Sequence, residues 1–268
     1  KIIYNQIATR KLVERQNKNL EQRIFVRTSE LEKKNLELEK AYLKMEEISL
    51  SDPLTGLKNR RYFSQVITND IAKVKRYYFK HQTRDQGAGQ SESSDLIFFL
   101  IDIDYFKSIN DQYGHANGDI TLKSIAQRLE SLSRESDCLI RWGGEEFLFV
   151  SRFVDRRRAE VTAERLRRSI ESHQIQLDNG QRVTCTCSIG YVSFPFDTNN
   201  PSALTVEQTI DLADWSLYWV KKNGRNGWAS LDLARDASVS VEQLARNISK
   251  LNRYVQGGHV SIHSSRST

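Results

Sequence analysis

The segment Arg141-Trp-Gly-Gly-Glu-Glu-Phe147 constrains the fold more than any other part of the chain. Short apolar runs lie directly before and after it, and both contain the residues that β-strands favour. The pattern predicts a β-hairpin whose two-residue turn is Gly143-Gly144 and whose returning strand starts with Glu145 and Glu146. Because successive side chains of a strand point to opposite faces, we expect the two carboxylates to have different partners.

A Gly-Gly hairpin is also a common way to expose glutamates to solvent, so this segment alone leaves a purely structural interpretation open. A second segment, from Leu96 to Lys107, adds chemistry. It begins as an apolar run suited to a central strand and ends in acids that include Asp102, with Lys107 close behind. Carboxylates at the end of a buried strand, with a lysine nearby, suit Mg²⁺ and the phosphates that it carries.

A third segment runs from Asn110 to Asp119 and contains Gly114 and Gly118. The glycines predict a loop wrapped around a ligand, with Asn110 and Asp119 at its two ends. An asparagine amide can donate to guanine O6, and an aspartate can accept from guanine N1–H and N2–H. Taken alone, Asp119 is better explained as the cap of the helix that follows.

Together these segments resemble the GGDEF family of diguanylate cyclases, here with the Gly-Gly-Glu-Glu-Phe form of the signature. The resemblance covers about residues 51–230 and rests on six motifs in the expected order. They include the string Ser51-Asp-Pro-Leu-Thr-Gly-Leu-Lys-Asn-Arg-Arg61, in which Asn59 is predicted to cap a helix, as well as Ser188-Ile-Gly190 and the basic segment from Lys221 to Arg225.

The resemblance implies an α+β fold of the nucleotidyl-cyclase palm type, in which a mixed, mostly antiparallel sheet is flanked by helices. It implies a reaction in which two GTP molecules condense into cyclic di-GMP and two pyrophosphates are released. One alternative is a catalytically inactive module that binds GTP or cyclic di-GMP, and another is a scaffold whose coiled coil is the functional part. The acids and basic residues at the family's catalytic positions favour the enzyme.

By residue-by-residue match, the resemblance assigns Mg²⁺ or Mn²⁺ to Asp102, the main-chain carbonyl of Ile103, and Glu145. Glu146 is implied to position the metal or to activate the attacking 3′-hydroxyl group, so Glu145, Glu146 and Lys107 form the implied catalytic set. Burial would have to raise the pKa of Glu146 toward neutrality if it acts as the base.

The resemblance also assigns the contacts to GTP. The main chain around Phe106 and Lys107 is implied to cradle phosphate, and Lys221 and Arg225 to face the β- and γ-phosphates. Lys221 and Arg225 are alternatively explained as ordinary positive charges at a helix C-terminus. The full set of implied substrate-binding residues is Phe106, Lys107, Asn110, His115, Asp119, Gly143, Gly144, Lys221 and Arg225.

The four-residue segment Arg134-Glu-Ser-Asp137 precedes the central hairpin and resembles the Arg-x-x-Asp inhibitory motif of the family. Arg165, on the helix that we predict after the hairpin, matches the position of a second inhibitory arginine. The resemblance therefore implies feedback inhibition by the product through Arg134, Asp137 and Arg165.

Residues 1–50 contain no Gly and no Pro, and Ile24, Leu31, Leu38 and Met45 recur at seven-residue spacing. This heptad pattern predicts a coiled-coil stalk and a homodimer, with Asn35 at a core position that would set the register. The alternative is a single solvated helix, which a lone apolar stripe supports poorly in water.

We therefore predict a stalk over 1–50, a catalytic domain over 51–230, and a partly helical or disordered tail over 231–268. The tail contains a capping-box pattern at Ser240, and disorder is expected from Gly257 onward. A flexible, exposed loop is expected over 82–94.

The net charge of +6 fits an anionic ligand, but no basic run is interleaved with aromatic residues, so we do not expect nucleic acid as a partner. Cys138, Cys185 and Cys187 are expected to be buried thiols in strands, in a reducing compartment. No apolar run is long enough to span a bilayer. The chain starts without Met, so we expect it to be a piece of a longer protein. We expect a cytoplasmic location, either free or as the cytoplasmic portion of an inner-membrane protein with an upstream sensor.

Overall fold

The computed structural model describes residues 2–82, 94–234, 240–246 and 250–265. Most of the loop predicted over 82–94 therefore lies outside the described residues. The chain divides into two compact units, Lys1–Ser49 and Leu50–Thr268. No helix in the described part of the chain combines the length and the hydropathy that a bilayer span requires.

The first unit is a single helix, and the second unit contains both helices and strands. In chain order the elements are α1 (Ile2–Leu50), β1 (Lys58–Asn59), α2 (Arg60–Gln82), β2 (Asp95–Ile103), α3 (Phe106–Tyr113), α4 (His115–Glu130), β3 (Cys138–Gly143), β4 (Glu146–Val154), α5 (Ala159–Glu171), β5 (Ile175–Gln176), β6 (Arg182–Val183), β7 (Cys187–Phe194), α6 (Val206–Lys222), β8 (Gly227–Leu233), α7 (Val241–Arg246), α8 (Leu251–Gln256) and β9 (Val260–Ser264).

Seven of these strands form one sheet in the order β1-β3-β4-β2-β7-β8-β9. The β1–β3 and β7–β8 pairs are parallel and the other neighbours are antiparallel, so the predicted mixed, mostly antiparallel sheet is confirmed. Strand β2 lies at its centre, and all nine of its residues are buried. Its continuous apolar run is what a strand covered on both faces requires.

Alternate side chains of β2 enter two separate cores. Phe99 and Ile101 face the core to which α4 contributes Ile125 and α5 contributes Leu166. Phe98 instead faces the core built with α2, α6 and the C-terminal helices. The sheet is thus covered by helices on both faces, as the α+β prediction requires.

The contribution of α4 to the first core consists of Leu122, Ile125, Ala126 and Leu129. These four residues recur at the spacing of one helix face, and this spacing is typical of a helix that packs on a core. The helix predicted to follow Asp119 is confirmed, although it already begins at His115.

A glycine sets the distance between α6 and the sheet. A Cβ atom at Gly190 of β7 would lie 2.0 Å from the carbonyl oxygen of Ala213 and 2.3 Å from the backbone nitrogen of Leu217. Backbone of α6 therefore occupies the space that any side chain at this position would need. The close approach explains the Ser-Ile-Gly motif, and it brings the last turn of α6, with Lys221, to the end of β2.

The central hairpin differs from the prediction by one residue. Arg141 pairs with Phe147 and Gly143 pairs with Glu146, so β3 carries one extra residue at Trp142. This bulge shifts the two-residue turn from the predicted Gly143-Gly144 to Gly144-Glu145. The expectation that both glutamates lie in the returning strand was wrong, because Glu145 lies in the turn.

The predicted loop between Asn110 and Asp119 is also wrong, because the segment is helical. Asn110 lies in α3 and Asp119 lies in α4, and a single residue, Gly114, separates the two helices. Gly114 has φ 81° and ψ 160°, a conformation that breaks the helix and that glycine adopts readily. The N-cap of α4 is Gly114, so Asp119 does not cap this helix.

The C-terminal tail forms a strand, Val260–Ser264, where disorder was expected after Gly257. Strand β9 pairs with β8 from Leu233↔Val260 to Ala229↔Ser264 and becomes the edge of the large sheet. The apolar side chain of Val260 is buried there, and this burial stabilises the strand. The predicted capping box is confirmed, since Ser240 Oγ accepts from the Gln243 amide and Gln243 Oε1 accepts from the Ser240 amide.

Two smaller predictions can be compared directly. The three cysteines are free and buried, as expected. Cys185, however, lies between β6 and β7 rather than inside a strand as expected. Asn59 caps α2 as predicted, since its Oδ1 accepts from the amides of Arg61 and Tyr62.

Helix α1 spans 49 residues, Ile2–Leu50, and confirms the predicted continuous helix. The residues at the predicted core positions are exposed on the single chain: Ile24 by 57%, Leu31 by 59%, Leu38 by 69% and Met45 by 74%. An apolar stripe of this kind on an isolated helix has no partner within its own unit.

Candidate active site

Asp102 and Glu146 face each other at the end of the central strand. The register pairs Asp102 of β2 with Glu146 of β4 on one side and with Ser188 of β7 on the other. Lys221, in the last turn of α6, places its Nζ 2.7 Å from Asp102 Oδ2. Two acids predicted from separate segments and one predicted phosphate-binding cation therefore meet at one place.

Burial changes the proton affinity of both acids. It raises the pKa of Asp102, and the hydrogen bond and positive charge of Lys221 offset only part of this effect. Burial also raises the pKa of Glu146, and the negative charge of Asp102 adds to the increase. The site holds more negative charge than Lys221 neutralises, so an additional cation would be bound favourably.

The donors at this site fit Mg²⁺ or Mn²⁺. Asp102 and Glu145 supply carboxylate oxygens, which hard divalent cations prefer, and Glu145 is close enough to raise the pKa of Asp102 electrostatically. Within the described residues no group of three His, Cys, Asp or Glu side chains is arranged to hold a metal ion. The predicted set requires only two side chains and the carbonyl of Ile103, so it is compatible with that finding.

Asp104 is a site residue that the sequence did not single out. Its Oδ1 accepts from Ser188 Oγ at 2.7 Å, and its Oδ2 accepts from Thr186 Oγ1 at 2.7 Å and from the Asn226 amide at 3.0 Å. The carboxylate is buried and satisfied by neutral donors. It joins the end of β2 to β7 and to the segment after α6. The acidic character of the segment was visible, but the partners that give Asp104 this role are distant in sequence.

The turn after β2 brings Arg225 to the start of α3. Tyr105 has a left-handed backbone, with φ 56°, and Phe106 is buried beneath the first turn of α3 while Lys107 is exposed. The guanidinium carbon of Arg225 lies 4.5 Å from the centre of the Tyr105 ring. The predicted phosphate cradle and the second predicted phosphate-binding cation are therefore neighbours.

Gly224 follows the C-cap of α6 and determines where Arg225 lies. Its φ is 103°, and the Arg225 amide donates to the Val220 carbonyl, which is the six-to-one bond of a Schellman motif. Lys221 and Arg225 thus leave the same helix end in different directions, toward Asp102 and Tyr105 respectively.

The predicted guanine-binding residues lie on the adjoining helices α3 and α4. Asn110 packs directly against Gly118, where an added Cβ would lie 1.9 Å from Asn110 Oδ1. His115 and Asp119 are exposed in the first two turns of α4. Gly118 therefore has a steric role beside Asn110, rather than the loop-forming role that the sequence predicted.

Arg141 is a second residue that the sequence did not single out. Its Nη1 donates to both carboxylate oxygens of Asp52, at 2.9 and 3.1 Å, and its Nε and Nη2 donate to the Gly144 carbonyl at 3.1 and 2.8 Å. Burial alone would raise the pKa of Asp52, but hydrogen bonds from Thr55 and Arg141 outweigh it and lower that pKa. Arg141 therefore braces the turn that carries Glu145 against the start of the domain.

The two glycines of the hairpin leave its tip open. Both are exposed, and a Cβ atom added at either Gly143 or Gly144 would meet nothing within 4 Å. Gly144 has φ 49°, so the turn itself favours glycine there. Open backbone at this tip leaves room for a large ligand.

A cavity of 230 Å³ borders Glu146 on the side of α2 and α6. Its lining includes Arg60, whose guanidinium carbon lies 4.5 Å from the centre of the Trp142 ring. The other charged residues of the lining are acids: Glu146, Glu207, Asp211 and Asp214. An excess of acids does not suit a triphosphate, so the phosphates are better accommodated on the side of Lys221 and Arg225.

Comparison with known proteins identifies the family of this chain. The family profile described as "Diguanylate cyclase, GGDEF domain" matches residues 49–227, which is more than half of the chain. The chain belongs to the GGDEF family. Diguanylate cyclase A of Treponema denticola is 37% identical over 175 residues, which cover 63% of this chain and 45% of that protein.

A second relative of this GGDEF protein is diguanylate cyclase DosC of Escherichia coli K12, which is 33% identical over 175 residues, covering 65% of this chain and 34% of that protein. The chain thus spans less than half the length of these two relatives. Among solved structures, the coiled coil and GGDEF domain of DgcB from Caulobacter crescentus, in complex with c-di-GMP, is similar with a TM-score of 0.63. That match covers 79% of this chain and 98% of that chain at 22% identity, and it shows the shared fold.

In this GGDEF domain, Arg134 and Asp137 form a small turn. The Arg134 amide donates to Asp137 Oδ2 at 3.0 Å, and the Asp137 amide donates to the Arg134 carbonyl at 3.0 Å. Asp137 Oδ1 is buried without a hydrogen-bond partner among the described residues. Arg134 and Arg165 are both exposed, and no hydrogen bond or ion pair in the described structure joins Arg165 to the other two.

Proposed function

We propose that this chain is a diguanylate cyclase that condenses two GTP molecules into cyclic di-GMP and releases two pyrophosphates. The observation that carries the proposal is the meeting of Asp102, Glu146 and Lys221 at the end of β2, with Lys221 Nζ 2.7 Å from Asp102 Oδ2. A metal-binding acid, a second acid and a phosphate-binding cation are the groups that nucleotidyl transfer needs at one place.

Asp102, the carbonyl of Ile103 and Glu145 are proposed to hold Mg²⁺ or Mn²⁺. When bound, the metal neutralises charge on the triphosphate and polarises the α-phosphorus. Lys221 and Arg225 are proposed to bind the β- and γ-phosphates, and the main chain at Phe106 and Lys107 to hold the same group from the other side. Lys107 is exposed and available for this contact.

Glu146 is proposed to receive the proton of the attacking 3′-hydroxyl group. Glu146 is the first residue of β4 and pairs with Asp102 of β2. Burial raises the pKa of Glu146, which is the direction that a general base requires. The contact between Arg141 and the Gly144 carbonyl fixes the turn that carries Glu145. The Glu145 carboxylate is proposed to act from this turn as the metal ligand. The two adjacent glutamates would then have different roles, one from the turn and one from the strand.

Asn110 of α3 and Asp119 of α4 are proposed to select guanine. His115, the first residue of α4, is proposed to contribute to the same substrate site. A carboxylate can accept from guanine N1–H, whereas adenine has no proton at N1. An unpaired acid against adenine costs about 1–3 kcal/mol, so GTP should be preferred over ATP.

The reaction requires two half-sites, since each domain is proposed to bind one GTP. We propose that α1 joins two chains through the stripe that includes Ile24, Leu31 and Leu38, which is exposed on the single chain. Tethering of this kind gives an effective concentration in the mM range, by order of magnitude. Input from an upstream sensor would then act by changing the alignment of the two half-sites.

Arg134, Asp137 and Arg165 are proposed to bind the product and to inhibit further synthesis. The proposal is supported by Asp137 Oδ1, which has no hydrogen-bond partner among the described residues and has the capacity to accept one from a guanine edge when the product binds. The exposed guanidinium group of Arg134 suits phosphate or the Hoogsteen edge of guanine. Replacing Arg134 with Ala should leave the initial rate unchanged and raise the final amount of product.

The deciding experiment incubates the purified chain with Mg²⁺ and GTP and measures cyclic di-GMP by mass spectrometry. Product from GTP and little from ATP is expected. Binding of GTP or cyclic di-GMP with no synthesis would instead favour the inactive binding module.

A dilution series with a Leu31→Lys, Leu38→Lys variant tests the stalk. The specific activity of this variant should fall at low protein concentration and recover as concentration rises, because buried lysines oppose the dimer. Concentration-independent activity of a monomeric variant would contradict the role of α1.

A further inference from the structure

The segment after α6 has a backbone that is unfavourable for its residues. Arg225 has φ 57° and Asn226 has φ 43°, and the neighbouring Tyr105 has φ 56°. These are three of the four non-glycine residues with positive φ in the described parts of the chain. Most residues with a Cβ atom avoid this region, although asparagine tolerates it better, so neighbouring structure must hold Arg225 and Tyr105 in place.

Asn226 is held on three sides. Its amide donates to Asp104 Oδ2 at 3.0 Å, its Oδ1 accepts from Arg167 Nη1 at 2.7 Å, and its Nδ2 donates to Glu171 Oε1 at 2.7 Å. Backbone and side chain are thus fixed by the end of β2 and by α5 together. Because Arg225 directly precedes Asn226, these contacts also determine where the Arg225 backbone lies.

Arg167 is the centre of the support from α5. It donates to both oxygens of Glu164 at 2.9 Å and to Glu171 Oε2 at 2.9 Å, in addition to Asn226. Only 12% of its side chain is exposed. The neighbouring Arg168 pairs with Glu164 as well, but its side chain is 73% exposed, and the described structure shows no bond from it to Asn226.

We propose that Arg167 is a positioning residue for GTP: through Asn226 it holds the left-handed turn in which Arg225 lies against Tyr105, beside the phosphate cradle. The inference rests on the proposed function, since it assigns Arg225 to the triphosphate. The competing explanation is that Arg167 only stabilises the surface of α5 through its pairs with Glu164 and Glu171. That explanation predicts no particular dependence on Arg225.

A double-mutant cycle separates the two explanations. Affinity is measured by calorimetry with the α,β-methylene analogue of GTP, which binds without releasing pyrophosphate. We expect Arg167→Met and Arg225→Ala each to weaken binding about tenfold, and the double variant to be no weaker than Arg225→Ala alone. The matched control Arg168→Met should bind as the wild type does. Additive losses in the double variant would overturn the proposal.

A second variant keeps the test independent of stability. Asn226→Gly makes the left-handed backbone favourable but removes the partners of Arg167 and Glu171. The lost side-chain hydrogen bonds and the relieved backbone strain oppose each other, so we expect this variant to remain folded in urea titrations at the assay condition, and still to bind the analogue about tenfold more weakly. Wild-type affinity in Asn226→Gly would overturn the proposal.

Hydrogen exchange distinguishes failure of this inference from failure of the proposed function. The Asn226 amide should exchange slowly in the wild type and in Arg168→Met, and faster in Arg167→Met, whether or not the chain makes cyclic di-GMP. A wild type that neither binds the analogue nor makes product would refute the proposed function, and the exchange result would still report on the turn. Unchanged exchange in Arg167→Met would refute the positioning role.

Discussion

Gly118→Ala should impair recognition of guanine without unfolding the domain. The added Cβ would lie 1.9 Å from Asn110 Oδ1 and 3.0 Å from Asn110 Cγ, so the Asn110 side chain must rotate away. The other neighbour is Phe106 Cζ at 3.3 Å, a tight contact that small movements can relieve. The substitution therefore displaces the side chain of Asn110, which is proposed to bind guanine, without replacing that residue.

The expected magnitude follows from one lost contact. A guanine oxygen left without its donor costs about 1–3 kcal/mol, which corresponds to roughly a 5- to 150-fold loss in kcat/KM for GTP. Stability should change by less than about 1 kcal/mol, because alanine is favoured over glycine by about that amount inside a helix and the contact with Phe106 opposes this gain.

The assay measures kcat/KM for GTP and urea unfolding for the wild type, Gly118→Ala, Asn110→Ala and the double variant. Lys123→Ala, an exposed change on the same helix, is the control. Gly118→Ala should resemble Asn110→Ala, and the double variant should lose nothing further. A full loss from Gly118→Ala in the Asn110→Ala background would refute the reasoning, because the glycine would then act through another group.

Three further predictions concern the metal site, the α5 cluster and the tail. Asp102→Ala or Glu145→Ala should abolish cyclic di-GMP synthesis and leave the circular dichroism spectrum unchanged, and near-wild-type turnover would contradict the metal assignment. Hydrogen bonds from Arg167, opposed by burial and aided by Arg168, lower the pKa of Glu164 to about 2 from an ordinary value of 4.5. A lowered folded-state pKa stabilises the protein above the unfolded value, so the stability difference between wild type and Glu164→Gln should be complete above about pH 4.5 and be lost as pH falls through about 2; an undiminished difference at pH 2 would contradict this linkage. Val260→Ala should lower the free energy of unfolding by about 1–3 kcal/mol in urea titrations, whereas a disordered tail would give no change.

Much of the fold follows from local pattern. The apolar run of β2, the helical spacing of Leu122 and Ile125, and the cap at Asn59 all depend on residues near one another in sequence, and the structure confirms them. The break at Gly114 was misread as part of a loop, because glycines favour loops and short helices with one residue between them are uncommon.

Contacts between distant segments could not be predicted in the same way. Arg141 reaches Asp52 across 89 positions, and Asn226 reaches Asp104 across 122. Each residue has an ordinary charge or amide whose role depends on the partner that the fold supplies. The bulge at Trp142 is similar, since it depends on the pairing of β3 with β4 and moves the turn by one residue.

The acids Asp102 and Asp104 illustrate why partners, rather than residue type, decide function at this site. Both lie at the end of the same buried strand, two residues apart, so the sequence pattern treats them alike. Asp104 accepts hydrogen bonds from three neutral donors, so its oxygens have little capacity left for a cation. Its role is to connect the end of β2 to β7 and to the segment after α6. Asp102 has Lys221 as its side-chain partner among the described residues, and a lysine can move to a phosphate and leave the carboxylate to a metal. The same pattern therefore produces one structural acid and one candidate ligand, and the difference lies in the donors that β7 and α6 bring to each.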